Sequence, residues 1–290
     1  MLSVSSGESI RRFGQVFDDV AAAYDEVRPS YPASLVDTAL ERGALVAGSR
    51  VLEVGSGTGK LTELLAARGL DVDAVEPGPN MIEAARKRVG ATGRVRFHLG
   101  RFEDVSLPED AFAALFSATA FHWVDPAVGW SRAASCLEPG GLLALLTHCG
   151  LEDEGSAAAE EGFRALLRKH APDVAKELSP SRDLEEILAG AEERRDNASA
   201  VWDWVMHEHH DLATDDAAGL FEDVEVATKV STLEQTADEL RDHFRTTSLY
   251  FRIDPAHRAA LEEDDRRLVE GLGGTVRFSL AAVLMTARRR

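Results

Sequence analysis

At 290 residues the chain is long enough for one large α/β domain, or for a core domain carrying an insertion. Apolar residues make up 44% and charged residues 28%, which predicts a packed core and excludes wholesale disorder. A formal charge of −18 repels polyphosphate and argues against a nucleic-acid partner, since the one compact basic cluster, at 288–290, reads as a solvated tail.

The apolar runs fall far short of the roughly 20 residues a membrane-crossing helix needs, and the first 30 residues contain no signal-peptide core. Cys136 and Cys149 read as two buried thiols, at a spacing that suggests no metal site. The expectation is a cytoplasmic protein with no membrane partner; its oligomeric state is not readable.

In chain order, Phe13, Val16, Phe17, Val20 and Tyr24 fall at helical spacing within residues 1–30. Arg28-Pro29-Ser30-Tyr31-Pro32 breaks that helix, because a residue before proline is pushed out of helical geometry. A second helix is predicted over 33–42. Strands and helices then alternate: strands at 50–54, 71–75, 95–99, 111–117 and 142–147, helices at 60–68, 80–89 and 126–137. Several of the strands are apolar on both faces, as in a parallel sheet covered by helices. Glu138-Pro139-Gly140-Gly141 is predicted as a turn between the last of those helices and its strand. Residues 151–220 read as helices and interrupt the alternation. A strand at 224–231, helices at 233–246 and 255–271, and a strand from about 275 to 287 follow, the last approached through Gly271-Leu272-Gly273-Gly274. The chain divides on this reading into 1–150 (N-terminal helices and a cofactor-binding half), 151–220 (a helical insertion or lid) and 221–290 (the rest of the core sheet).

The strongest signal is Glu53-Val54-Gly55-Ser56-Gly57-Thr58-Gly59, directly after an apolar strand and before an amphipathic helix. Glycine lets the backbone turn tightly and lets a ligand rest against it. A turn that holds a pyrophosphate has the spacing G-x-G-x-x-G. Here the spacing is G-x-G-x-G, and a carboxylate stands two residues before the first glycine. That acid suits a ligand carrying positive charge, such as the amino group of a methionyl tail. The competing reading keeps the glycines for packing alone. Glu76 ends the second strand seventeen residues after Gly59, where a carboxylate can accept hydrogen bonds from ribose hydroxyls.

These residues resemble the class I S-adenosylmethionine-dependent methyltransferases, in particular the small-molecule branch that includes ubiquinone/menaquinone-type and trans-aconitate-type enzymes. The resemblance covers roughly residues 10–150 well and the last sixty loosely. It is carried by Glu53-x-Gly55-x-Gly57-x-Gly59, Glu76-Pro77-x-x-x-Met81, Gly100-Arg101-Phe102-Glu103-Asp104, Phe121-His122-Trp123 and Leu137-x-Pro139-Gly140-Gly141. It implies an α/β, Rossmann-like seven-stranded sheet, mostly parallel with an antiparallel last strand, with helices on both faces and a helical insertion. The implied cofactor is S-adenosylmethionine, leaving as S-adenosylhomocysteine, and the implied partner is a small-molecule methyl acceptor.

Carried over position by position, Gly55, Ser56, Gly57 and Gly59 would line the methionyl part, with Glu53 near its amino group. Glu76 would hold the ribose hydroxyls, Met81 would pack near the adenine, Phe102 and Glu103 would meet the adenine edge, and Pro77 belongs to the same cofactor-binding set. Relatives often carry an acid where this chain has Arg101, which leaves the choice between Glu103 and Asp104 open. Tyr24 and Arg28, from the segment that folds across the cofactor in relatives, and Thr119 complete the expected cofactor-binding set.

Methyl transfer depends mainly on alignment and water exclusion, so a base is optional, and His122 is the candidate for it. Trp202, Trp204, His207, His209 and His210 cluster at 201–210, where a partly buried helix face or part of a lid is expected rather than a metal site. Two other function classes are open to the sequence: a binding module that holds the cofactor without turnover, and an NAD-dependent oxidoreductase, against which the glycine spacing and Glu53 both argue.

Overall fold

The computed structural model describes residues 17–176, 178–207 and 212–290 (of Asp216, the backbone alone). Phe13, Val16, His209 and His210 therefore lie outside the described residues. Helix α1 (Ala21–Val27) stops where Arg28 turns extended ahead of Pro29, and α2 (Ala33–Arg42) follows. Next come β1 (Arg50–Val54), α3 (Lys60–Ala67), β2 (Asp71–Glu76), α4 (Pro79–Val89), β3 (Val95–Leu99) and β4 (Phe112–Ala118). A 3-10 turn at Phe121–Trp123 leads to α5 (Pro126–Cys136) and β5 (Leu137–Leu151). Helices α6 (Ala157–His170), α7 (Pro172–Ala175), α8 (Leu184–Glu192), α9 (Ala198–Met206) and α10 (Asp215–Leu220) occupy the stretch read as helical. The chain closes with β6 (Phe221–Thr236), α11 (Ala237–Phe244), α12 (Ser248–Arg252), α13 (Pro255–Gly271) and β7 (Thr275–Arg289).

The seven strands among the described residues form one sheet in the order β3-β2-β1-β4-β5-β7-β6. The pairs from β3 through β5 are parallel, while β7 runs antiparallel to both β5 and β6. The order reverses between β1 and β4, so a cleft opens at the carboxyl ends of those two strands, as expected at such a switch point.

Alternation along each strand divides the core between the two faces. Val51, Phe116, Leu146 and Leu284 pack with Val36 and Leu65 of α2 and α3. Leu52, Leu115, Leu145 and Met285 pack with Trp130 of α5 and with Trp202 and Val205 of α9. Helices α8 and α9, with Leu212 and Ala217, thus share the main core rather than building a separate one, and each fully buried large side chain contributes about 1.5–3 kcal/mol.

Several boundaries differ from the sequence reading, and in two places residues expected in a turn or a helix belong to a strand. The 138–141 segment is part of β5: Phe112 pairs with Leu137 and Ala114 with Leu142, so the extra residues form an irregularity in the ladder rather than a turn outside it. The helix expected from 233 begins at Ala237, because β6 stays paired to β7 as far as Thr236 opposite Thr275. There Thr236 and Glu239 make a reciprocal capping box that starts α11.

Candidate cofactor and acceptor site

The glycine-rich turn stands at the reversal point. Gly55 (φ +72°) is required by close approach, because a Cβ there would come within 2.3 Å of the Ala120 Cβ. Gly59 serves packing: it opens α3 with φ +84°, and a Cβ would sit 3.0 Å from Ala85 of α4. Of the expected cofactor residues it alone stands back from the cavity wall; Gly57 faces open space.

The cavity has a volume of about 1160 Å³, slightly above the roughly 300–1,000 Å³ usual for small-molecule sites, which leaves room for two reactants. Glu53, Gly55, Ser56 and Gly57 form the wall beside β1, and Glu76, Pro77 and Met81 the wall beside β2. Phe102 and Glu103 line it, whereas Asp104 does not. Tyr24, Arg28, Thr119 and His122 also reach it.

Glu53 is 1% exposed, and its Oε2 has no hydrogen-bond partner among the described residues; Ser56 Oγ is in the same condition. Burial, opposed by the Thr62 hydroxyl and assisted by the charge of Glu76, pushes the Glu53 carboxyl up to about 8. A buried carboxyl of this kind on a cavity wall is ready to ionise against an incoming cation.

Glu76 is bonded on both oxygens: Oε2 accepts from the Gly57 N–H and Oε1 from the Gly78 N–H, each at 2.9 Å. Burial raises its pKa against those two bonds. Glu103 is the opposite case. Burial would raise it, but the Asp125 N–H at 3.0 Å and Arg101 Nη2 at 2.7 Å hold it below its ordinary value. Arg101, the departure from the usual acid, thereby orients Glu103.

The segment before β1 is fastened over the cavity from several sides. Asp18 Oδ1 accepts from the N–H groups of Asn80 and Met81 and so caps α4 from 62 residues away. Lys60 Nζ donates to the Asp25 carbonyl at 2.8 Å, and Arg88 Nη2 reaches Asp25 Oδ1 at 2.6 Å. Arg28 donates from Nε to Thr246 Oγ1 at 3.0 Å and from Nη2 to the Thr246 carbonyl at 2.8 Å, while its guanidinium lies 5.4 Å from the centre of the Tyr24 ring.

Two wall residues escaped the sequence reading as functional groups, Tyr31 and His148. In the sequence Tyr31 reads only as part of the helix-breaking stretch, and His148 lies just past the strand expected at 142–147. His122 is buried, with its ring centroid 4.6 Å from that of Trp123.

The histidine and tryptophan cluster divides. Trp202 is core, and the Trp204 ring lies between Arg182 and Arg194 at 4.4 and 4.3 Å. His207 Nε2 is 3.2 Å from the Pro180 carbonyl oxygen, and Met206 reaches the cavity. Among the described residues no three His, Cys, Asp or Glu side chains group as metal ligands, and no helix is long and apolar enough to cross a membrane.

A parallel sheet with one antiparallel strand, a glycine turn at its reversal point and acids at the ends of β1 and β2 define a methyltransferase architecture. Residues 52–145 match the family described as "Methyltransferase domain". An uncharacterized methyltransferase of Mycobacterium tuberculosis is 42% identical over 130 residues, 45% of this chain and 51% of that protein, so the chain spans about half the length of that relative. A demethylmenaquinone methyltransferase of Clavibacter sepedonicus is 30% identical over 185 residues, 60% of this chain and 74% of that protein. A solved structure, a putative type II methyltransferase from Anaeromyxobacter dehalogenans, shares the fold at a TM-score of 0.56 with 20% identity, covering 90% of this chain and 97% of that one. The chain belongs to the class I S-adenosylmethionine-dependent methyltransferases.

Proposed function

We propose that the protein transfers the methyl group of S-adenosylmethionine directly to a small-molecule acceptor. The observation that carries this reading is the Glu53 carboxyl, buried on the cavity wall with one oxygen unpartnered among the described residues, where a methionyl ammonium would satisfy it. Glu76 would accept from the ribose hydroxyls with its remaining lone pairs, Met81 and Phe102 would flank the adenine, and Glu103 would accept from its amino group. Tyr24 and Arg28 would close over the methionyl end. S-adenosylmethionine supplies an activated methyl on a sulfonium, which leaves with sulfur retaining the bonding pair. The chain's part is to align the acceptor with that methyl and to exclude water, effects worth about 7–11 kcal/mol where alignment is good.

His122 stands in the wall on the turn that leads to Asp125 and Glu103, and its contribution to turnover is testable separately from binding. Calorimetric titration with S-adenosylmethionine, S-adenosylhomocysteine and NAD tests the proposal. Micromolar binding of the first two without NAD is expected; binding of NAD alone would overturn it.

A further inference from the structure

Two histidines line the cavity, and they belong to different neighbourhoods. His122 precedes Asp125, whose N–H donates to Glu103, and so sits on the branch of the wall assigned to the cofactor's base. His148 lies on β5 beyond the Ala118–Leu146 pair that ends the β4–β5 ladder, past the carboxyl end of β4. Its ring stacks on Tyr31, with centroids 5.1 Å apart and planes 23° from parallel. The Tyr31 hydroxyl in turn is 2.7 Å from Thr119 Oγ1.

Thr119 has φ +50°, a left-handed conformation that a β-branched residue adopts only under strain. That strain places its hydroxyl against Tyr31 at the strand end. The elements after residue 150 add Leu178, Met206 and Leu249 to the same cavity, together with the polar Thr247, Ser248 and Arg252, a mixed contribution to the wall.

We propose that His148, braced by Tyr31 and Thr119, takes the proton of the methyl acceptor, and that this acceptor reacts through a hydroxyl group. The inference rests on the methyltransferase reading above. A lone pair of the hydroxyl oxygen forms the new O–C bond while the S–C bond breaks and its pair stays on sulfur. The O–H proton passes to a ring nitrogen of His148, leaving its electrons on oxygen, and His148 returns the proton to solvent. A carboxylate would bring no proton and would set its charge against the ring's lone pair.

The charged and titratable groups around His148 favour its neutral form. Burial first and then the Arg28 guanidinium push it down to about 4, and His243, depressed by burial and by the same arginine, faces it as a second imidazole. Tyr31, raised by burial, stays protonated as a hydrogen-bonding group. Such a ring is a weak base at rest. Methyl transfer removes the sulfonium charge from the cleft, and the proton affinity of His148 rises as that charge disappears.

The test combines binding, spectroscopy and turnover. Calorimetry with S-adenosylhomocysteine on wild type, His148→Gln and Tyr31→Phe should show affinities equal within about twofold; loss of binding in wild type would defeat the methyltransferase reading itself, not this assignment. Histidine nitrogen NMR, with the His148 signal identified by its loss in His148→Gln, should show His148 titrating at least about one pH unit lower with S-adenosylmethionine than with S-adenosylhomocysteine.

Single-turnover transfer to a panel of phenols, aliphatic alcohols and benzoates should occur with hydroxyl compounds. It should fall about 10²–10⁴-fold in His148→Gln, with the residual rate rising with pH as hydroxide replaces the base. Three results would overturn the assignment: a cofactor-dependent titration at His122 instead of His148, the base-loss signature in His122→Gln alone, or transfer to benzoates or to no hydroxyl compound by protein that binds the cofactor.

Discussion

The carboxylate of Glu76 reaches back across the sheet to the glycine turn, its Oε2 accepting the Gly57 N–H at 2.9 Å. The end of β2 and the turn after β1 are thus one unit, shaped before any ligand arrives. Glu76→Ala removes both this bond and the one from Gly78 and should weaken S-adenosylhomocysteine binding at least tenfold, as calorimetry would read it. Affinity unchanged from wild type would take Glu76 out of the site.

Glu53 gives a pH dependence of definite sign. With its carboxyl pushed up to about 8, the empty protein holds it protonated at pH 7, whereas an ammonium partner requires the anion. Cofactor affinity should therefore rise as pH increases from 6 toward 8, and binding at pH 7 should release a proton. Calorimetry in buffers of different ionisation enthalpy measures that proton. The raised value also means that stability falls as pH climbs from the ordinary carboxylate range toward 8, so Glu53→Gln should raise the melting temperature at pH 8 while weakening binding.

Asp73 should contribute stability in the opposite sense. It is 2% exposed, and although burial opposes its charge, Arg96 Nη2, His98 Nε2 and Arg50 Nε approach at 2.9, 2.8 and 2.9 Å and hold it well below the usual carboxylate range. That contribution is full above about pH 4 and is lost as pH falls below it. Asp73→Asn should cost about 1–3 kcal/mol in urea denaturation at pH 7, the partial exposure of the arginines keeping it from being larger, with a smaller difference at pH 3.

The two glycines of the turn that face the cavity should respond differently. Gly55→Ala would drive a methyl into Ala120 and should lower the melting temperature markedly as well as abolish binding. Gly57→Ala meets no atom within 4 Å and should cost only about 1 kcal/mol of stability for its left-handed backbone, while still obstructing the ligand. Paired thermal melts and calorimetry separate the cases.

What could be read ahead of the structure was whatever depends on neighbours in the chain. The strands at 50–54 and 95–99 and the helix at 255–271 lie where their apolar patterns and flanking turns put them. The acid–glycine turn and Glu76 could be found because their spacing is local to one β-α-β unit. The start of α11 was missed even though its capping box, Thr236 to Glu239, is a sequence signal, because the apolar pattern of 233–246 runs across the strand–helix boundary. Asp18, Tyr31 and His148 were not legible as site residues at all. Their partners lie 62, 88 and 117 positions away, and only the crossing of the N-terminal segment over the sheet brings them together. Between Glu103 and Asp104 the pattern offered no choice; the ion pair with Arg101 and the bond from Asp125 turn Glu103 toward the cavity.

The clasp between Arg28 and Thr246 has a kinetic consequence. Residues 28 and 246 are far apart in the chain, and Arg28 and Thr247 both stand on the cavity wall, so the clasp is expected to act as a latch on the cavity. Its acceptors are a hydroxyl and a carbonyl rather than a carboxylate, so ionic strength should leave it nearly untouched. Thr246→Val removes the hydroxyl acceptor and leaves the carbonyl one, so it should speed the escape of S-adenosylhomocysteine in stopped-flow displacement, at high and low salt alike, and an unchanged escape rate would show that the hydroxyl bond is not what holds the product. The dwell time of spent cofactor would then be set by a single arginine letting go.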